Sequence, residues 1–169
     1  MPLFAPSQLP AKCDLIAARD NLAFFDSQSI TLPRPITALD GWNLQMARAL
    51  PLMALASRIR DAISARFGVK RIGGFSGQRA TAVQPGDHLD FFLVERSEPE
   101  VLTLTERDRH LDVMTCLTTT DGRLAITSSV ITHNWFGQAY MLPVAPAHRL
   151  IVRLMLRRLA QDLAVQPAG

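Results

Sequence analysis

The chain has 169 residues, 48% hydrophobic and 20% charged, enough for one well-buried core and too few for two ordinary domains. Its net charge of +3 comes almost wholly from arginine, since Lys12 and Lys70 are the only lysines, and so mild an excess without clustering gives no nucleic-acid footprint. Two cysteines, Cys13 and Cys116, make neither a disulfide scaffold nor a thiolate metal site, and no apolar run approaches the ~18 residues of a membrane span; a reducing cytoplasm fits this composition best.

Pro2, Pro6 and Pro10 make residues 1–20 an extended arm, and no basic leader with an apolar core, the mark of a secretion signal, precedes the rest. Residues 21–165 are then a single domain. The stretch NLAFFDSQSITL (21–32), rich in β-branched and aromatic residues and stopped by Pro33 and Pro35, reads as the first strand. From Thr37 to Phe67 the period becomes helical: Leu39, Trp42, Met46 and Leu50 recur at steps of three and four, then Leu52, Leu55, Ile59, Ile63 and Phe67. Pro51 divides this stretch into two helices or one bent helix, and Gly68 suits its C-terminal cap. Residues 71–87 are rich in turn formers and form an irregular connection, whose glycines lack the lysine and Ser/Thr of a phosphate-binding loop.

Beyond this connection the period falls to two, which predicts a four-stranded antiparallel meander near 88–96, 101–107, 109–119 and 123–133, with Leu89, Phe91 and Leu93 in the core. PVAPAHRLIVRLMLRRLAQDLA (143–164) is a long amphipathic helix with Pro146 near its start and Val152, Met155, Leu156, Leu159 and Leu163 on its inner face. The predicted fold is α+β: a curved antiparallel sheet, one N-terminal strand plus the meander, packed on a long C-terminal helix, with one or two helices inserted after the first strand.

Asp121-Gly122 is a strong two-residue hairpin turn and sets a register that pairs Leu111 with Thr132, Val113 with Val130, Leu117 with Ile126 and Thr119 with Leu124. The same register opposes His110 and His133, with Asp112 two residues along the same face. A second turn at Arg107-Asp108 places Thr105 across from His110 and Leu104 across from Leu111. Two imidazoles and a carboxylate within such reach are the makings of proton transfer, so His110, His133 and Asp112 are the catalytic candidates of a cyclase-like or hydrolytic enzyme. An adjacent aspartate on a stiff strand makes a poor third zinc ligand, and neither a metal nor another cofactor is expected. His88-Leu89-Asp90, a second copy of His110-Leu111-Asp112, lies too far across the sheet to join them and reads as strand patterning. Arg149, Arg153 and Arg157 recur every four residues on the last helix, either a solvated face or the contact surface of a protein-interaction domain.

The strings DRHLDVMTCLTT and VITHNWFGQAYMLPVAPAHRLIVRLML, with LPLMALASRIRDAISARFGVK upstream, resemble the bacterial domain-of-unknown-function family 2867 over about positions 20–160. Asp108, His110, Asp112, His133, Asn134, Gly137, Tyr140, His148 and Arg149 match the family's pattern, as does Arg60, whereas Met53 stands where a tryptophan is common and Ala147 where a phenylalanine is. The resemblance implies a START-like helix-grip fold, in which sheet and C-terminal helix enclose an apolar or amphipathic ligand. On that reading Arg60, Asn134, Tyr140, His148 and Arg149 are the ligand-binding candidates, with 71–87 and 134–146 as loops at the cavity mouth. The expected partner is such a small molecule, and neither a nucleic acid nor a membrane.

Overall fold

A computed structural model describes residues 9–47, 54, 58, 61, 65 and 75–165. After a short 3-10 turn at Arg19–Asn21 come β1 (Phe24–Thr31), α1 (Ala38–Met46), β2 (His88–Leu89), β3 (Phe92–Glu98), β4 (Val101–Arg107), β5 (Leu111–Thr120), β6 (Arg123–Thr132) and α2 (Trp135–Val165). The strands form one antiparallel sheet in the order β1-β6-β5-β4-β3-β2, so the first strand closes onto the last. This is the α+β arrangement expected from the sequence, with α2 crossing one face of a curved sheet.

The hairpin at Asp121-Gly122 has the expected register: both residues take positive φ, 54° and 67°, and Leu111 pairs with Thr132, Val113 with Val130 and Leu117 with Ile126. The neighbouring turn differs. Arg107 pairs with Asp112 and Thr105 with Met114, so Arg109 and His110, and not Arg107 and Asp108, are the residues of the reversal. Asp108 moves the turn: its Oδ1 accepts from the amides of His110 at 2.6 Å and Leu111 at 2.9 Å, the local bonding that favours aspartate at such positions. The slip is an even number of residues, so the apolar face is unchanged although every opposing partner is new.

Two further boundaries depart from the sequence reading. Residues 88–96 are not one strand: Asp90, at φ 55°, turns the chain so that Leu89 faces Phe92 in a tight hairpin. The alternation is thereby reset, and Phe92 and Val94 take the buried positions expected for Phe91 and Leu93. A register shift between Val94 and Arg96 accommodates Glu95. The final helix starts at Trp135, eight residues before the expected start at Pro143, with Pro143 and Pro146 inside it. Each proline removes one ladder hydrogen bond but leaves the helix standing; residues 135–146 are helix and not a loop. The described part of the 71–87 connection, from Phe75, has no helix or strand, as expected.

Thr37 caps α1 by accepting from the Asp40 amide at 3.0 Å. Trp42 and Met46 are buried, and Trp42 meets Phe75 and Phe92 edge-on. The buried Asn43 acts as a surrogate backbone, donating to Ala80 O at 2.8 Å and accepting from Ala80 N at 3.0 Å, which ties the connection to α1. Ala54, Arg58, Asp61 and Ala65 are helical, in line with a helix after Pro51; Leu52, Leu55, Ile59, Ile63 and Phe67, expected to line that helix, and Arg60 and Gly68 lie outside the described residues.

Two apolar clusters lie between α2 and the sheet. The larger holds Ile30, Leu102, Leu104, Leu117, Leu124 and Ile126 against Val152, Leu156, Leu159 and Leu163. The smaller gathers Phe24, Leu111, Val130 and Met141, with Tyr140, Val144 and Ala145 packed on it. Met155, expected on the inner face of α2, is partly buried against the larger cluster.

Candidate functional site

The boundary between the two clusters is polar. On β1, Phe24 belongs to one cluster and Ile30 to the other, with Asp26 and Gln28 between them on the same face. On β6 the residue between Val130 and Ile126 is Ser128, which pairs with Asp26 on one side and with Thr115 of β5 on the other. On α2 the corresponding residues are His148 and Arg149. A belt of Asp26, Gln28, Ser128, Thr115, His148 and Arg149 therefore crosses the layer between helix and sheet.

Gln28 is the centre of the belt. Its Nε2 donates to Asp26 Oδ2 at 2.7 Å and to the Arg149 carbonyl at 3.0 Å, so its amide orientation is set by two acceptors. Its Oε1 then has no partner, although the residue is 7% exposed. Arg149 lies with its guanidinium carbon 4.9 Å over the Phe24 ring and its Nε 3.8 Å from Asp26 Oδ1. His148 packs edge-on against Phe24, ring centroids 5.6 Å apart, and its buried Nε2 also has no partner. Burial pushes the imidazole below the usual histidine range, opposed by the Asp26 carboxylate and assisted by Arg149, and this favours the neutral ring. A buried polar atom left unpaired costs about 1–3 kcal/mol, and folded proteins keep few of them. Here two lie in one polar layer.

The second HLD triplet does not form one cluster. Asp112 Oδ1 lies 3.0 Å from His133 Nε2, with Arg107 Nε 3.9 Å from the other carboxylate oxygen. The His110 ring is held elsewhere, by the Arg109 guanidinium on Nε2 at 3.0 Å, by Asn134 at Nδ1 and by Phe136 at a centroid distance of 4.6 Å. Since Nε2 accepts from arginine, Nδ1 carries the proton and donates to Asn134 Oδ1. His110 thus joins the start of α2 and not the Asp112–His133 pair. Among the described residues no group of three or more His, Cys, Asp or Glu side chains is arranged to hold a metal ion.

Asn134 serves the fold. Its Oδ1 accepts from the Gly137 amide at 3.1 Å, an N-cap bond, while its Nδ2 donates to the Arg109 carbonyl at 3.1 Å. At Gly137 a side chain would run into the His110 carbonyl oxygen and crowd Thr132 Cβ. Asp108, His110, Asn134 and Gly137 are therefore parts of one latch that seats the first turn of α2 on the Arg109-His110 turn. Tyr140 packs beyond it, in the smaller cluster, and stacks on Phe136. Of the ligand-binding candidates, His148 and Arg149 reach the belt, Tyr140 lines the adjoining cluster and Asn134 belongs to the latch.

Asp26, Gln28 and Ser128 do not stand out in the sequence. The signal of the first two is their place on the strand face that Phe24 and Ile30 bury, and that of Ser128 its place between Ile126 and Val130 on β6, which have meaning only once β1 and β6 are known to pair under α2.

No curated protein and no solved structure gives a significant match to the chain. A family model does, over residues 18–155, which span β1, the whole sheet, the latch and the belt, and by that match the chain belongs to the family described as Protein of unknown function (DUF2867).

Proposed function

We propose that the protein binds a small amphipathic molecule between the sheet and α2, with the polar group of the ligand on the belt and its apolar part against the flanking clusters. The observation that carries this reading is the unpaired Gln28 Oε1, a buried acceptor whose own amide nitrogen is already committed to two partners. Such an acceptor calls for a ligand donor, and the neutral imidazole of His148 supplies a second polar contact in the same layer. A hydroxyl suits both, because it donates its one proton to Gln28 Oε1 and accepts from His148 Nε2 in the tautomer that carries the ring proton there. The arrangement resembles the helix-grip proteins, in which a sheet and a long helix hold apolar ligands. No helix among the described residues is long and apolar enough to cross a membrane. The proposed setting is the cytoplasm, whose reducing conditions keep thiols such as Cys13 and Cys116 free.

A second reading, an acid-base enzyme, is favoured by the contact between Asp112 and His133, in which the carboxylate orients the imidazole. It has only two of its three groups together, because His110 is engaged in the latch.

The test is native mass spectrometry of protein purified without added ligand, with metal analysis, followed by thermal-shift screening of long-chain alcohols, phenols, fatty acids and divalent ions. Binding raises stability by mass action. The proposal expects a hydroxylated amphiphile to raise the melting temperature of the wild type and to lose that effect in Gln28→Leu. A stoichiometric zinc ion lost on His133→Ala, with no response to any amphiphile, would overturn it and make the second HLD triplet a metal site.

A further inference from the structure

The opposite face of the sheet, away from α2, carries a second set of reactive groups. Its inward row includes Thr103, Cys116, Thr127 and Ser129, all buried under the N-terminal arm. The described part of the arm adds no strand to the sheet. It is held by single polar contacts: Asp14 N donates to Cys116 Sγ at 3.4 Å, Ile16 N to Ser129 Oγ at 3.0 Å and Thr103 Oγ1 to Asp14 Oδ2 at 2.7 Å. Arg96 and Glu100 hold its edge through Asp14 and Lys12. A tight turn, closed by the Cys13 amide on the Pro10 carbonyl at 3.2 Å with Lys12 at φ 63°, delivers Cys13 over the cross-strand pair Cys116 and Thr127.

We propose that Cys13 and Cys116 are a reversible redox pair, and that their disulfide staples the N-terminal arm to the outer face of the sheet. Both are free thiols here, and the Asp14 amide, formed on the Cys13 carbonyl carbon, donates to Cys116 Sγ at 3.4 Å, which seats Cys13 beside Cys116. Cys116 Sγ accepts from the Asp14 amide, the Thr103 hydroxyl lies 3.6 Å away with its proton on Asp14 Oδ2, and the Cys13 thiol donates to the Asp14 carbonyl at 3.5 Å. The neighbouring Cys13 and the Asp14 amide draw the Cys116 thiol down against the opposing effect of burial, while Cys116 and burial push Cys13 up. Cys116 lies on the sheet beneath the arm and Cys13 on the arm itself, so lifting the arm uncovers one thiol and settling it returns the other.

The oxidant is hydrogen peroxide. When the arm lifts, Cys116 meets solvent and gives up its proton there, and the thiolate attacks a peroxide oxygen; the O–O bond breaks, and the departing hydroxide takes up a proton and leaves as water. Cys116 is then a sulfenic acid. As the arm settles, the Cys13 sulfur attacks the Cys116 sulfur, the S–O bond breaks, and the hydroxyl leaves with the Cys13 proton as a second water. Two electrons pass from the two thiols to one peroxide, and a dithiol reductant reverses the change.

The experiment uses the full chain, reduced and then treated with one equivalent of hydrogen peroxide, followed by non-reducing peptide mapping and amide hydrogen exchange. The proposal expects a mass loss of about 2 Da, a Cys13–Cys116 cross-linked peptide, and exchange at Asp14 and Ile16 slowed at least roughly tenfold, all reversed by dithiothreitol. Cys13→Ser, altered only in the arm, is expected to stop at a Cys116 sulfenic acid that dimedone traps. Sulfinic acid or intermolecular dimers without the internal cross-link would overturn the proposal. So would a cross-link that leaves arm exchange unchanged.

Discussion

Replacing Gly137 by alanine pits two effects of opposite sign against each other. Alanine is the better helix former by about 1 kcal/mol, so on propensity alone the variant gains stability. In this structure, however, the new methyl group falls on the His110 carbonyl oxygen, a backbone atom fixed by the Asp108-capped turn and by its bond to the His133 amide at 2.8 Å. Forcing extra volume into such a contact costs about 1–3 kcal/mol. Relief by moving α2 outward would stretch the 3.1 Å cap bond from Asn134, itself worth roughly 1 kcal/mol. The expected result is a net loss of about 1–2 kcal/mol, which for a chain of this size lowers the melting temperature by roughly 3–6 °C. Thermal and urea unfolding followed by circular dichroism would measure it. An unchanged or raised stability would show that α2 does not press on the turn, and the latch would have to be abandoned.

Asn134→Ala removes the cap and the bond to Arg109 together, and urea midpoints should show a loss of about 1–2 kcal/mol. His148 gives a pH signature: burial lowers its folded-state pKa, so the unfolded chain binds the proton more readily. Its stabilising effect is whole above the unfolded value of 6.5 and is lost as pH falls from there toward the lower folded value, by at most about 1.4 kcal/mol per pH unit. Urea midpoints from pH 7.5 to 5 should show this slope in the wild type and a flatter one in His148→Leu. Asp112→Asn breaks a contact whose histidine is 39% exposed, so calorimetry should find a change under about 1 kcal/mol and an unaltered response to amphiphiles.

The legible parts of the sequence are those governed by local chemistry. Asp121-Gly122 announces a turn in which both residues need positive φ, and from it follow the β5–β6 register and the apolar face. The Arg109-His110 turn is hidden because a side chain, Asp108, and not a glycine, sets it. The start of α2 is masked because Pro143 and Pro146 mimic a helix beginning, whereas the true start needs Asn134 to find a turn 25 residues earlier in the chain. Asp26 and Gln28 are ordinary strand residues until β1 is known to pair with β6 beneath α2. His110 and His133 do meet along the backbone, and only side-chain direction separates their partners.

The belt is tested most directly by following the imidazole nitrogens of the four histidines by NMR, in protein labelled with 15N-histidine, while a hydroxylated amphiphile such as dodecanol is titrated in. Binding on the belt predicts a saturable shift of the His148 Nε2 resonance, with His88, His110 and His133 unmoved, and its disappearance in Gln28→Leu. A ligand that binds saturably yet leaves His148 unchanged, or that binds Gln28→Leu equally well, would contradict the account.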